Sequence, residues 1–411
     1  MTNKNLLVVC QHFWPESFRI NDICDFLVER GCRVEVLCGL PNYPKGEIYE
    51  GYSWFTNRHQ IKNGIHIHRA VEIPRKNNSN LRIFLNYISF PFFSLFQIPN
   101  FLFKRFDKVF VYQLSPVLMA ISGIIVAKLK RIELTIYVLD LWPENLFSVL
   151  PVRNGFLRWI ASLVSHWHYR QADKLIVLSN RMKEHLIATT GISAKKIIVI
   201  PQACEKLYET DIEDFSLQEK FTGRFRILFT GNISPAQSFD TIIEAAKILK
   251  QEGLDDVLWV IVGDGMSLAW LKGQIDRAGL NELFHFEGHR PVVDMPRYTS
   301  TADVLVGCLV KSNLLEATIP AKVMSYIAAG RPIVLAMDGE VSHLINHTIG
   351  CGLVGPAEDS KALAKNIMSL YRMAPEERRE LGCRGRRYHL EHFERNLLLQ
   401  KLYDFIWDEQ G

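Results

Sequence analysis

The 411-residue chain has no CxxC pair, no DxD triplet, no low-complexity tract and no short-period repeat. Its eight cysteines are scattered, which excludes a zinc ribbon or a disulfide scaffold. Cys10, Cys38 and Cys308 lie in strand-like apolar runs and read as reduced core thiols of a cytosolic protein. With no DxD and no spaced His or Cys ligands, the sequence predicts chemistry that runs without a metal ion. Long apolar runs free of charge and proline are also missing, so no transmembrane helix is expected. The opening MTNKNLLVVCQHFWPE reads as a first strand rather than a signal peptide. A net charge of only +4 gives no reason to expect a nucleic-acid partner.

Apolar residues make up 48% of the chain and charged residues 22%, a balance that fills roughly two or three domain cores at this length. Strand-length runs begin at Leu6, Arg33, Ile65, Lys108, Leu134, Lys174 and Lys196, and again at Arg226, Val257, Leu283, Val304 and Arg331. Helix-period segments lie between several of them, such as INDICDFLVERG with Gly31 as its stop. Near-continuous apolar strands with crossover helices predict parallel sheets covered on both faces. The polar stretch Pro201–Arg224 has no sustained periodicity and reads as a linker between two doubly wound domains. Such sheets bind ligands at the carboxyl ends of their strands.

Asn80–Phe106 is crowded with Phe, Leu and Ile, with Arg82, Lys104 and Arg105 at its ends. Pro91 and Pro99 are expected to break any single spanning helix. The segment reads either as a buried helix and loop or as an interfacial element that docks on a membrane.

Thr318–Met337, TIPAKVMSYIAAGRPIVLAM, reads as a short helix and a buried strand, with Pro320 at the first helical position and Gly330 past the end. Lys322 then falls in the first turn, where a helix disfavours a cation. A lone lysine is ordinarily a solvated surface residue. This one opens a helix at the carboxyl edge of a sheet, so its charge and the helix N–H groups together suit a diphosphate. In LFTGNISPAQSFDTIIEAA, Gly231 permits close backbone approach, and Asn232, Ser234, Gln237 and Ser238 are neutral hydrogen-bonding groups, as in many ordinary βα loops. VGDG (Gly263, Asp264, Gly265) lacks the third glycine of a dinucleotide fingerprint, which disfavours a nicotinamide dehydrogenase. Gly288 precedes His289 and Arg290 in a further turn. In the first half, YVLDLWPEN follows a strand and sends Asp140 and Glu144 to its carboxyl edge, with a helix cap as the competing role for Asp140. Arg19 reads as a phosphate contact or a surface ion pair. Asn42 and Tyr43 either shape a pocket or belong to a Pro-bracketed turn only. Arg378–Arg387 reads as a solvated helix face.

Taken in order, TGN…AQ, VGDG, FEGH and IP-x-K…Y-x-A-A-G-x-P-I resemble the donor-binding half of retaining, family-four-type GT-B glycosyltransferases. FWPESFRINDI, GLPNYPKGEIYEGY, DLWPEN and RQADKLIVLSNRMKEHL resemble the bacterial O-antigen, capsule and exopolysaccharide branch of that family, where N-acetyl-fucosaminyl transferases are found. The resemblance runs from about Leu6 to about Phe393. It implies an α/β GT-B fold, two Rossmann-like doubly wound domains facing across a cleft: an acceptor-binding domain over 1–202, a linker over 203–224 and a nucleotide-sugar-binding domain over 225–389, the last helix, about 390–411, returning to the first.

The resemblance also implies an activity. A sugar, N-acetylated and UDP-linked, is transferred with retention to a polyprenyl-diphosphate-linked saccharide in lipopolysaccharide or capsule synthesis. The enzyme would sit peripherally on the inner face of the bacterial plasma membrane, with no cofactor and no metal. Relatives carry an Arg and a Lys in the TGN turn where this chain has Asn232 and Gln237, so Lys322 is expected to take over their charge. Relatives place two Glu at the positions of Ala317 and Ser325, which leaves Glu316 beside the earlier one. Lys322, Asp140 and Glu316 are therefore the expected catalytic residues. Gly231, Asn232, Gln237, Gly263, Asp264, Gly265, His289, Arg290, Val292, Pro320, Ala321 and Ser325 are expected to frame the donor, and Arg19, Asn42, Tyr43 and Glu144 to face the acceptor. Without the carboxylate pair, same-face attack is expected, with the departing phosphate taking the acceptor's proton. A GT-B sugar-nucleotide epimerase and a non-catalytic UDP-sugar-binding protein are the alternatives.

Overall fold

Runs of Leu, Val and Ile can bury both faces only in a sheet covered on each side, and two such sheets are present. A computed structural model describes residues 4–43, 46–75, 80–149, 154–204, 206–208 and 215–408. The chain divides into two compact units, Met1–Ile200 with Leu399–Gly411, and Pro201–Leu398.

The first unit holds strands β1 (Lys4–Val9), β2 (Cys32–Cys38), β3 (His59–Lys62), β4 (Ile65–Arg69), β5 (Lys108–Gln113), β6 (Glu133–Val138), β7 (Lys174–Val177) and β8 (Ile197–Val199), in the order β3-β4-β2-β1-β5-β6-β7-β8. Pairing is parallel except between β3 and β4. At the centre, Val8 pairs with Val36 on one side and Phe110 on the other, all fully buried. The helices are α1 (Arg19–Glu29), α2 (Asn80–Leu95), α3 (Ile98–Leu102), α4 (Ile121–Lys130), α5 (Glu144–Val149), α6 (Gly155–Arg170) and α7 (Asn180–Thr190). α1 turns Ile20, Ile23, Phe26 and Leu27 to the core. The segment is interrupted as expected, between Leu95 and Ile98 with Pro99 in the first turn of α3, but Pro91 lies inside α2 without ending it. Tyr87, Phe90 and Ser94 keep the inner face of α2 buried across the proline, so packing overrides propensity.

The second unit holds β9 (Phe225–Thr230), β10 (Val257–Val262), β11 (Phe284–Gly288), β12 (Val304–Cys308), β13 (Ile333–Ala336) and β14 (Gly352–Gly355), all parallel in the order β11-β10-β9-β12-β13-β14. Its helices are α8 (Phe215–Lys220), α9 (Phe239–Gln251), α10 (Leu268–Arg277), α11 (Met295–Thr301), α12 (Asn313–Glu316), α13 (Ala321–Ala329), α14 (Glu340–His343), α15 (Ser360–Arg372) and α16 (Pro375–Tyr388), and the last helix, α17 (Arg395–Trp407), begins here and passes into the first unit at Leu399. The described part of the stretch read as a linker contributes α8 and the buried side chains Cys204, Tyr208 and Phe221. From Leu399 on, α17 is part of the first unit. Lys4 Nζ donates to the Tyr403 hydroxyl at 2.8 Å, and Lys108 and Lys174 donate to the carbonyls of Ile406 and Phe405 at 2.6 and 2.8 Å. β3 and β14 were not expected from the sequence. The other twelve strands coincide with its apolar runs.

Candidate functional site

In the second sheet the chain runs from β9 through β10 to β11 on one side and from β12 through β13 to β14 on the other. The switch point lies at the carboxyl end of β9, the place where an open α/β sheet binds ligands. Gly231 follows β9 with φ at +126°. The next turn is laid directly against it. A Cβ on Gly263 would lie 1.9 Å from the Gly231 carbonyl oxygen, and one on Gly265 2.2 Å from the Ile233 carbonyl oxygen, so both contacts require glycine. Ile233 N donates to the Asp264 carbonyl at 2.9 Å, and the Asp264 carboxylate accepts from Gly265 N at 2.7 Å.

Lys322 is brought to this turn. Pro320 occupies the cap of α13, one position earlier in the helix than expected, and Gly330 ends the helix at φ +68°. No side chain caps the start of α13. The Tyr326 hydroxyl accepts from Thr230 N at 2.9 Å and donates to the Val306 carbonyl at 3.2 Å, which fastens α13 to the ends of β9 and β12. From there Lys322 Nζ reaches Gln237 Oε1 at 2.5 Å and lies 3.9 Å from the centre of the Phe229 ring. A Cβ on Gly231 would be 3.4 Å from Nζ, so the ammonium sits beside bare backbone. Part of the Lys322 side chain keeps contact with solvent, but protein atoms crowd the ammonium itself. Burial pushes its pKa down to about 7, weakly opposed by the Cys308 thiol. No carboxylate among the described residues pairs with it. Gln237, which stands where relatives carry a cation, here holds the cation of another element.

Other expected donor residues are placed differently. Ser325 is buried, with its hydroxyl 3.5 Å from the Ala321 carbonyl of its own helix. Glu316 ends α12 and lines a small cavity with Ser312 and Asp338. Its carbonyl approaches so closely that a Cβ on Gly339, φ +86°, would lie 2.1 Å away. His289 and Val292 are exposed. Arg290 donates to Glu287 Oε2 at 2.9 Å. Glu287 also receives Lys220 from α8, His285 at 2.8 Å and the Tyr298 hydroxyl at 3.2 Å. Burial works to raise the Glu287 pKa, but the bonds from Lys220, His285 and Arg290 outweigh it and bring it to about 2. This centre was not legible beforehand, because Lys220 lies in the stretch read as a linker.

In the first unit, polar side chains gather at the carboxyl ends of β1, β2, β4, β5 and β6. Asp140 is not a helix cap: its Oδ2 accepts from the Ser115 hydroxyl at 2.8 Å, and Ser115 in turn accepts from Trp142 Nε1 at 2.9 Å. Burial raises the Asp140 pKa, against the opposing bonds from Ser115 and Asn145 and the charge of Arg75. Glu144 meets His185 of α7 at 3.0 Å; burial works to raise its pKa, and the His185 bond brings it down. Asn42 is buried and Tyr43 half-exposed. Their backbone amides donate to Glu16 Oε1 at 2.8 and 2.6 Å. The same carboxylate lies 3.1 Å from His12 Nδ1, and His12 stacks on Phe18 with centroids 4.8 Å apart. Arg19 opens α1 beside this group. The motif WPESFRIND is thus first a structural staple, since Asn21 also bonds Trp14 N and the Glu16 carbonyl. Sequence reasoning missed His12, Glu16, Glu72, Arg75 and Asn86. The first two were visible as a polar pair at helical spacing after an apolar strand. Among the described residues, no three His, Cys, Asp or Glu side chains converge as metal ligands.

Residues 18–205 match the family described as "Glycosyltransferase Family 4", and residues 211–388 the family described as "Glycosyl transferases group 1". The chain is a GT-B glycosyltransferase. The transferase is 27% identical over 199 residues to the amylovoran biosynthesis glycosyltransferase AmsK of Erwinia amylovora, covering 48% of this chain and 47% of that protein. It is 23% identical over 379 residues to WcaI of Escherichia coli (strain K12), provisionally named a colanic acid biosynthesis glycosyl transferase, covering 88% of this chain and 91% of that protein. Among solved structures, Anabaena Alr3699/HepE in complex with UDP and glucose gives a TM-score of 0.71 at 16% identity, over 99% of this chain and 100% of that one. WaaG, a glycosyltransferase involved in lipopolysaccharide biosynthesis, gives 0.68 at 15% identity, over 98% and 99%. A sucrose-phosphate synthase from Thermosynechococcus elongatus scores 0.72, so the shared fold does not select the acceptor.

Proposed function

We propose that the transferase moves a sugar, N-acetylated and UDP-linked, with retention, to a polyprenyl-diphosphate-linked saccharide in bacterial surface polysaccharide synthesis. One observation carries the reading: the Lys322 ammonium, held by Gln237 beside Gly231 and left without a carboxylate partner among the described residues. The departing UDP gains negative charge as the glycosidic bond breaks, and a cation already in place stabilises that charge more in the transition state than in the ground state. The unsealed start of α13 adds its amides. Same-face attack then lets the departing phosphate oxygen accept the acceptor's proton, so no carboxylate pair is needed at Ala317 and Ser325. Asp140 and Glu316 orient the reacting sugars in this scheme, and Arg19, Asn42, Tyr43 and Glu144 border the acceptor. The pathways named for AmsK and WcaI support the assignment to surface polysaccharide, and the UDP in the HepE complex supports the nucleotide.

The same reading places the protein on the cytoplasmic face of the plasma membrane. No described helix is long and apolar enough to cross a bilayer. α2 turns Leu81, Phe84, Ile88 and Phe92 outward, continued by Phe96 and by Phe103 before and after α3. Lys104, at the end of this segment, binds Glu35 at 2.5 Å. α6 adds a face that was not expected, with Phe156, Leu157, Trp159, Leu163 and Trp167 all exposed. Both helices pack against the same turn, Val117–Ala120. α2, α3, α4 and α6 contain no Asp or Glu but carry Arg82, Lys128, Lys130, Arg158 and Arg170, a composition that favours an anionic bilayer.

The deciding experiment assays transfer from UDP-sugars to a lipid-diphosphate saccharide. Lys322→Ala is expected to lower turnover by about two to three orders of magnitude with the melting temperature preserved. Wild-type turnover is expected to persist in excess EDTA, and the new anomeric linkage to keep the donor's configuration by NMR. Near-normal turnover of Lys322→Ala refutes the mechanism.

A further inference from the structure

Arg75 follows β4 and lies half-buried against α2. Its Nε donates to Asn86 Oδ1 at 3.0 Å, and its guanidinium lies over the Tyr87 ring, 5.4 Å from the centroid. Asn86 is fully buried and fixed in turn. Its amide donates to Glu72 Oε1 at 2.6 Å and to the Ile73 carbonyl at 2.9 Å, while the Gln11 amide donates to the same Glu72 oxygen at 2.7 Å. The guanidinium is therefore held in one orientation by a buried network that spans β1, β4 and α2.

What this network does not supply is a counter-ion. No carboxylate among the described residues forms an ion pair with Arg75. Burial pushes Glu72 up to about 7, so near neutral pH it brings less than a full negative charge to the cluster. Asp140 is within electrostatic range of Arg75, without contact. The Tyr87 hydroxyl likewise makes no hydrogen bond among the described residues. A half-buried cation whose terminal nitrogens keep their donors is costly until an anion completes it. A rigid guanidinium fork suits the geometry of phosphate oxygens.

The surroundings select the kind of phosphate. On one side, Tyr87 meets Trp142 edge-on at 6.1 Å, and Trp142 leads through Ser115 to Asp140. On the other, α2 carries the outward apolar stripe that begins Leu81, Phe84, Ile88. A polar group near Asp140 and a hydrocarbon along α2 describe the two ends of a lipid-linked saccharide. We propose that Arg75, with the Tyr87 hydroxyl, binds the phosphate of the lipid-linked acceptor at the carboxyl edge of the first sheet. This rests on the reading of the acceptor given above and adds the residue that holds its anionic centre.

The test uses the full chain saturated with UDP and titrated with farnesyl diphosphate below its micellar concentration. Arg75→Gln is expected to weaken farnesyl diphosphate binding roughly tenfold or more, the loss of a charge-assisted contact. Arg75→Lys is expected to recover part of it, and Tyr87→Phe to weaken it a few-fold with the fold intact. Affinities for UDP and for phosphatidylglycerol vesicles are expected to stay at the wild-type value in all three. Unchanged farnesyl diphosphate binding in Arg75→Gln overturns the proposal. So does wild-type binding no tighter than that of farnesol, or a loss confined to UDP or to vesicles, which would assign Arg75 to the donor or to bulk lipid headgroups. Sugar transfer is scored separately: a chain that binds farnesyl diphosphate through Arg75 yet transfers nothing refutes the proposed reaction and leaves the subsite standing.

Discussion

A single ammonium with a displaced pKa ties protonation to ligand binding. In the free protein, burial brings Lys322 down to about 7 from the ordinary 10.5. A diphosphate beside it favours the charged form and draws the pKa back up. UDP binding at pH 8 is thus expected to take up most of one proton, read by calorimetry in buffers of different ionisation enthalpy, and Lys322→Met to abolish that uptake. The folding linkage has a definite sign. Between about 7 and 10.5 the unfolded chain binds more protons than the folded one, so the Lys322 contribution becomes more favourable as pH rises through that window and is least favourable below it. Lys322 was legible in the sequence because local rules place it: Pro320 and Gly330 bracket one short helix. Arg75, Glu72 and Asn86 were not, because what makes them a group is a pairing between Gln11 and residues 61 and 75 positions away.

Elements show the same division between local and long-range information. The buried parallel strands announce themselves as apolar runs, since both of their faces are covered. β3 was hidden because HQIK is an edge strand with alternating exposure, and β14 because GLVG opens and closes on glycine. The outer face of α6 was hidden for another reason: the helical period of apolar residues is the same whether they face a core or a bilayer. Trp159→Glu with Leu163→Glu is expected to weaken binding to phosphatidylglycerol vesicles at least roughly tenfold without lowering the melting temperature, because both side chains are exposed; retained binding removes α6 from the docking surface. At the end of β11, Glu287→Gln leaves Lys220, His285 and Arg290 facing one another. It is expected to lower the melting temperature by roughly 4–8 °C at pH 7, for a loss of about 2 kcal/mol. The difference from wild type is expected to fade as pH drops from 4.5 towards 2, where the native carboxylate itself takes a proton. A pH-independent difference would mean that packing rather than charge makes the contribution.

At the scale of the whole molecule, two sheets of one design are joined by a chain that leaves the first unit at Ile200 and re-enters it at Leu399. The four large side chains Leu399, Leu402, Tyr403 and Ile406 are buried in α17, and the lysines of β1, β5 and β7 reach its last turns. Truncation after Leu398 removes about 6–12 kcal/mol of apolar burial as an upper bound, a loss comparable to the whole margin by which a domain stays folded. Calorimetry is expected to show loss of one of two transitions, and an unchanged thermogram would contradict the packing. The order of synthesis follows from this closure. A ribosome making the protein emits the first half early but supplies its final helix only after 198 further residues, Pro201 to Leu398, have been translated. The nascent first lobe therefore waits, incompletely sealed, while its neighbour is completed.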